Sequence, residues 1–404
     1  MMTLPSTRST AMKVCLYSPN YPGISGEGGI GTYTRQLARA LSGLGHEPHV
    51  LTPGPARDLV HEGPVTIHLA PADYFPVLDR LMPGVGACWR IAAVMRQIVA
   101  RYNIDVVEFP NWGGIGLAYG MGRPAPMVVR LHTSSLECSL IDGTGPSRLI
   151  AWDIRRERWL NLSADKLVTH SWAHRARMAE ELGINEDRIN VVPHGIEVNP
   201  GFRRVSRCDK ELKVVYLGRM EKRKGTIDLL KAIPEVLREV SEVHFTLIGA
   251  DRPHCPGGRT HAQYLEDEFP TVVRRHITLA GRLSDCEVDQ QLREADLFVA
   301  PSLYESFGLI FLEAMRWGTP VIGTTAGGIP EIIDHEKTGL LVEPSQPAEL
   351  AQAMILLLRN DRLRHRLGEA GRRRVESVFN VDRMARQSAE QYATARGTKQ
   401  CQIH

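Results

Sequence analysis

No two cysteines in this chain are spaced as a metal-binding or redox pair. The seven of them, Cys15, Cys88, Cys138, Cys208, Cys255, Cys286 and Cys401, are scattered and odd in number. That excludes a disulfide framework or a zinc ribbon and fits reduced thiols in a cytosol. No apolar run approaches the roughly 18 residues of a membrane-spanning helix. The opening stretch Met1–Ala11 is polar, with only Val14-Cys15-Leu16-Tyr17 behind Lys13, so no secretory leader is expected. Charge of one sign is scarce too: 49 Lys and Arg oppose 46 Asp and Glu, a formal +3, which gives no argument for a nucleic-acid partner. Walker lysine motifs, Asp-x-Asp pairs, short-period repeats and low-complexity segments are all missing. What these absences leave is a cytoplasmic globular chain.

The length of 404 residues exceeds what one hydrophobic core supports, so two domains are expected. Apolar runs and helical periodicities alternate along it. Strands are expected at Lys13–Tyr17, His49–Thr52, Val65–Leu69, Ile104–Phe109, Met127–Leu131, Lys166–His170 and Ile189–Val192. Helices fall between them at Gly31–Leu44, Ala87–Tyr102, Ser147–Leu162 and Ala173–Leu182. The polar, proline-containing segment Val198–Lys210 reads as a linker. Alternation then resumes, with strands Leu212–Leu217, Val243–Ile248 and His276–Ala280 and helices Thr226–Val240 and Asp285–Glu294. Such an order implies parallel sheets covered on both faces, hence an α/β protein of two doubly wound domains.

The stretch Ala300–Glu331 organises the rest. An apolar strand ends at Pro301, Tyr304-Glu305-Ser306 offers a turn with a Ser cap, and an almost wholly apolar helix is expected from Phe307 to Trp317. Gly318 stops it and Pro320 opens the next strand. Gly308 lies in the first turn, where free N–H groups and the positive helix end can hold a phosphate. Glu313 follows about 8 Å further along the axis, and a carboxylate among Leu, Phe and Met is costly without a partner. Arg316 at i+3 is one candidate partner; a hydroxyl-rich ligand is the other.

Glu305-x7-Glu313, continued by Ala314-Met315, Gly318, Pro320-Val-Ile and Gly327-Gly328, resembles the retaining glycosyltransferases of family 4, which have the GT-B fold. The resemblance implies two Rossmann-like domains facing a cleft: residues 12–200 for the acceptor, residues 211–379 for a nucleoside diphosphate sugar. A last helix, about Asp382–Arg396 within residues 380–397, would cross back onto the first domain. It further implies donor sugar hydroxyls on Glu305, ribose on Glu313, and donor contacts from Phe307, Gly308 and Leu309. Arg219 and Lys224, in Gly218-Arg219-Met-Glu-Lys222-Arg223-Lys224-Gly225, match the pair that neutralises the diphosphate, one as a fork and one as a point charge. Lys222 and Arg223 read as surface residues. Arg282 and Leu283 sit in the turn that faces the base. His132, at a strand end, matches a histidine near the donor sugar and acceptor, while His194 stands where the family usually has Asn.

Ser25-Gly-Glu-Gly28-Gly29-Ile-Gly31-Thr32 supports two readings. Its Gly26-x-Gly28-x-x-Gly31 frame matches a dinucleotide fingerprint, but the second strand ends Val50-Leu51-Thr52-Pro53 without the acidic residue that would hold a ribose. An NAD-dependent oxidoreductase is therefore an alternative, as is a nonhydrolysing sugar-nucleotide epimerase. In the family reading Gly28, Gly29 and Gly31 approach the donor's diphosphate or the acceptor. No metal and no cofactor is expected, since Arg219, Lys224 and the helix end at Gly308 supply the positive charge a leaving diphosphate needs. UDP-sugar is preferred over GDP-sugar on what is common in the family. The acceptor, a hydroxyl of a saccharide, lipid or small molecule, would meet Asn111–Gly114 and Ser134–Ser147. Trp89, Arg90, Arg96 and Arg101 offer a peripheral membrane face as the alternative to packing and solvent. The basic stretch Arg359–Arg374, interrupted by acids, reads as a solvated helix.

Overall fold

The computed structural model describes residues 11–26, 28–71, 82–143, 147–199, 201 and 211–400. Most of the expected linker, residues 200 and 202–210, lies outside them, as does Glu27 of the glycine loop. Two sheets are present. The first holds β1 (Lys13–Tyr17), β2 (Glu47–Gly54), β3 (Asp58–Glu62), β4 (Val65–Pro71), β5 (Val106–Pro110), β6 (Met127–Arg130), β7 (Lys166–Thr169) and β8 (Ile189–Val191). Its order is β3-β4-β2-β1-β5-β6-β7-β8. The second holds β9 (Leu212–Leu217), β10 (Val243–Ile248), β11 (Ile277–Gly281), β12 (Leu297–Val299), β13 (Val321–Thr324) and β14 (Leu340–Val342), in the order β11-β10-β9-β12-β13-β14. All pairings are parallel except β3 with β4. Sequence reading missed β3 because its side chains are half or fully exposed, leaving no apolar alternation to find.

Strand order reverses at β1 in the first sheet and at β9 in the second. Ligands of doubly wound sheets bind outside the carboxyl ends of the strands at such switch points. Those ends carry the glycine loop after β1, Gly218-Arg219 after β9 and Ala300–Ser306 after β12. Parallel strands covered on both faces must be apolar on both, and each sheet accordingly lies between two buried clusters.

The C-terminal helix Val381–Gln400 packs on the first sheet: Met384, Ala385, Ala389, Tyr392 and Ala395 join the cluster beneath helix Gly29–Gly43. Tyr392 Oη donates to Glu108 Oε2 (2.8 Å) and Arg130 Nη2 donates to Ser388 Oγ (3.1 Å). Glu108 and Arg130, neighbours on β5 and β6, form a fully buried pair at 2.9 Å, with Tyr33 Oη donating to the second carboxylate oxygen (2.7 Å). Every oxygen of that buried carboxylate is thus occupied, the condition under which a buried ion pair is tolerable.

Candidate active site

The basic turn after β9 is pressed against the loop after β12 by one glycine. Gly225 has φ 65°, and a Cβ there would overlap the carbonyl oxygen of Pro301. Leu303 N–H donates to Arg223 O (2.8 Å) across the same contact. Lys224 Nζ therefore meets Glu305 Oε1 at 2.5 Å, and Ser302 Oγ donates to the same oxygen at 2.9 Å. Burial alone would raise the Glu305 carboxyl, but Lys224 and Arg223 outweigh it and hold it below the usual range. Burial draws the Lys224 ammonium below its ordinary value, partly offset by Glu305. Arg223, expected at the surface, is buried: its guanidinium lies 3.7 Å from Glu305 and 3.6 Å from Glu221. Arg223 read as a surface residue because exposure of a short turn depends on what packs against it. Arg219 pairs with Glu221 at 3.0 Å while its side chain stays 53% exposed. An ion pair that open contributes at most about 1 kcal/mol, little enough for a phosphate to displace.

The helix expected from Phe307 begins two residues later, at Leu309, and runs to Met315. Gly308 is its cap at φ 112°, and Ser306 is not. The hydroxyl of Ser306 is used across the cleft instead, 3.1 Å from Thr133 Oγ1, and its carbonyl accepts from Ser171 Oγ at 2.6 Å. Phe307 is buried against Phe379 and His194, with ring centroids at 5.9 and 5.0 Å, so its ring is committed to packing. Leu309 is half-buried. Glu313 is half-buried and has no hydrogen bond or ion pair with any described residue; the suggested Arg316 bonds to Asp289. Burial raises its carboxyl to about 7. Arg282 is exposed, and Leu283 packs partly against the core.

In the first domain the strand ends after β6, β7 and β8 deliver His132, His170 and His194 to one spot. His170 and His194 stack at 3.6 Å, His170 Nε2 lies 3.4 Å from His132 Nδ1, and Tyr33 packs against all three. Asn111 fixes the His132 backbone through two bonds, 2.8 and 3.0 Å. Burial, then the charge of Arg130, pushes the His132 imidazole down to about 3, so it is neutral at physiological pH. His132 Nε2 is buried without a hydrogen-bond partner. The three residues' ring nitrogens lie within 4.8 Å of one another. The ring centroids of His170 and His194 lie 3.6 Å apart with the planes tilted by 23°, so one imidazole covers the face of the other. His170 went unnoticed because it reads as the last residue of an apolar strand.

The glycine loop has its own packing reason. A Cβ on Gly31 would lie 2.6 Å from Asn20 O, and one on Gly28 would overlap the Asn20 amide, while Gly29 faces open space. Helix Gly29–Gly43 begins two residues earlier than expected. The two candidate acceptor segments are joined by buried Glu157, which accepts from Gly113 N–H (2.9 Å), Ser135 N–H (3.0 Å) and Ser135 Oγ (2.6 Å). Residues 135–142 form a helix capped reciprocally by Ser134 and Glu137. Trp112 and Trp89 are exposed, whereas Arg96 is used on the carbonyls of Ala118 and Met121. Several arginines of the stretch Arg359–Arg374 are likewise taken up by carbonyls: Arg364 on Leu357 and Leu358, Arg372 on Arg316, Arg374 on Glu331 and Ile332.

Comparison with known proteins bears on both halves. Residues 27–199 match the family described as Glycosyltransferase Family 4, and residues 201–374 match Glycosyl transferases group 1. A glycogen synthase of Mycobacterium tuberculosis (strain CDC 1551 / Oshkosh) is 28% identical over 422 residues, covering 97% of each chain. Among solved structures, sucrose-phosphate synthase from Thermosynechococcus elongatus superposes with a TM-score of 0.74 at 21% identity, over 96% of this chain and all of that one. Anabaena Alr3699/HepE in complex with UDP and glucose superposes with a TM-score of 0.69 at 18% identity, over 95% of this chain and all of that one.

Proposed function

The chain belongs to glycosyltransferase family 4 and has the GT-B fold, and on that premise we propose that it moves a sugar from a nucleoside diphosphate sugar to an acceptor hydroxyl with retention at the anomeric carbon. Membership displaces the NAD-dependent and epimerase readings. One observation carries the proposal: Arg219, Lys224 and Glu305 are drawn together at the switch point of the second sheet, with Ser306 bonded across the cleft beside His132. Arg219 and Lys224 hold the diphosphate and stabilise the charge that develops as it departs. Glu305, kept ionised, accepts from donor-sugar hydroxyls. Glu313, a carboxylate with no protein partner, accepts from the ribose. Neutral His132 presents an unpartnered nitrogen toward sugar and acceptor. The departing diphosphate, on the same face as the incoming hydroxyl, takes its proton, so no protein carboxylate acts as nucleophile. A UDP-sugar is the preferred donor, in keeping with the UDP and glucose bound by the Anabaena protein.

The test is a thermal-shift titration with UDP, GDP, ADP, dTDP and NAD, without added metal. A ligand at a hundred times its dissociation constant raises stability by about 2.7 kcal/mol. A response to one nucleoside diphosphate names the donor class. Silence to all four, with a shift from NAD, overturns the proposal.

A further inference from the structure

Five charged side chains at the second switch point form an alternating chain: Arg219, Glu221, Arg223, Glu305, Lys224. Successive contacts are 3.0, 3.6, 3.7 and 2.5 Å. The proposed reaction gives work to the first and the last two and none to Glu221 and Arg223, although both are buried. A buried carboxylate stripped of its cation is strongly disfavoured. Glu221 has Arg219 on one oxygen, Oε1, and Arg223 on the other, Oε2. Arg219 can therefore leave for a phosphate without stranding Glu221, because Arg223 stays. Arg223 is shared in turn with Glu305 Oε2, the oxygen that Lys224 and Ser302 do not occupy.

Resting on the donor reading above, we infer that Glu221 and Arg223 are positioning residues for the donor. Glu221 parks Arg219 at the mouth of the site until a diphosphate takes it. Arg223 is the common counter-ion that lets Arg219 go and keeps Glu305 ionised while Lys224 turns to the phosphate. Neither residue touches the donor; each acts through a neighbour that does. A diphosphate competes with Glu221 for the same guanidinium, so Glu221 lowers nucleotide affinity and Arg223 limits that loss.

Calorimetric titration of UDP, or whichever of UDP, GDP, ADP and dTDP binds best, into wild type, Glu221→Gln, Arg223→Met, Arg223→Lys and the double variant Glu221→Gln/Arg223→Met tests this. Glu221→Gln should bind the nucleotide roughly two- to fivefold tighter, the scale of an exposed ion pair released from competition. Arg223→Met should bind more weakly, Arg223→Lys should recover most of the loss, and in the double variant the Arg223→Met penalty should shrink to the part that Arg223 exerts through Glu305. A merely structural role for Arg223 would leave its penalty the same with and without Glu221, and that additivity would overturn the inference. So would unchanged or weaker binding by Glu221→Gln, which stands as a test even if Arg223→Met does not fold. A wild type that binds none of the four nucleotides sinks the donor reading itself; a binding wild type with additive variants sinks this inference alone.

Discussion

Glu313 carries the sharpest residue-scale consequence. Its carboxyl is half-buried, lacks a protein partner and is raised by burial to about 7. If it receives ribose hydroxyls, Glu313→Ala should weaken nucleoside diphosphate binding by roughly ten- to a hundredfold, the range of one or two hydrogen bonds to a charged group. The melting temperature should not fall, because no hydrogen bond or ion pair with a described residue is lost and a carboxyl that burial disfavours is removed; unchanged affinity would remove the ribose assignment. The same carboxyl sets a pH dependence. Its ionised form accepts from both ribose hydroxyls, so affinity should rise as pH passes upward through about 7, and the rise should flatten in Glu313→Gln. At Arg219 the expectation is different: Arg219→Ala should reduce turnover with little loss of stability, since its ion pair with Glu221 is half in water. Wild-type turnover in that variant would end its leaving-group role. These residues were legible because each sits in a motif whose types and spacing have a chemical reason. Arg223 and His170 were not, since burial and stacking arise from neighbours far away in sequence.

At the scale of elements, two junctions hold the site in place. The buried Glu108–Arg130 pair ties β5 and β6, beneath His132, to the C-terminal helix through Tyr392 and Ser388. Arg130→Met leaves a buried carboxylate without its cation and should cost about 3–5 kcal/mol, read by denaturant unfolding; a loss under 1 kcal/mol would mean the pair is dispensable. Gly225→Ala combines a left-handed backbone with overlap on Pro301, so it should lower the melting temperature and loosen Lys224 from Glu305, with donor binding falling alongside. The strands other than β3 and β14 were readable to within a residue or two, because both faces of a parallel strand are buried and the apolar run is continuous. The start of helix Leu309–Met315 was not, because Ser306 serves as a link to Thr133 and Ser171 on the opposite domain, a use that local propensity cannot reveal.

For the whole molecule, closure of the cleft and acid stability are linked. Glu331 of the second domain accepts from the Trp172 and Ala173 N–H groups of the first at 3.0 and 2.9 Å, and His194 packs on Phe307 across the same boundary. Burial, then neighbouring positive charge, pushes His132 down to about 3 and His68 down to about 4, and holds His170 and His194 well below the ordinary imidazole value. Below about 6.5 the unfolded chain binds protons at these sites that the folded chain refuses, so stability falls as pH drops. Glu181 and Glu313, raised by burial to about 7, act oppositely: the folded chain keeps their protons where unfolded carboxyls have lost them, a contribution lost as pH rises from about 4.5 to 7. His46, His49 and His261 are also held down by burial, and Glu157 and Asp228 also held up, so seven described imidazoles against four carboxyls give acid the destabilising sign. The melting temperature should therefore fall between pH 7 and pH 5, and a rise would mean that the histidines are not buried as described. No helix among the described residues is long and apolar enough to cross a membrane.

The sequence alone determined the alternation of strands and helices and the family, and supplied the polar residues proposed for the donor, because hydrophobic period and motif chemistry are local properties of the chain. Only the tertiary structure decided which charges meet. Lys224 and Glu305 are 81 residues apart and are joined by a close backbone approach at Gly225. Arg223 becomes a buried counter-ion, and Ser306 and Glu331 bridge the cleft, because contacts between distant segments depend on how two sheets face one another and no local pattern encodes that.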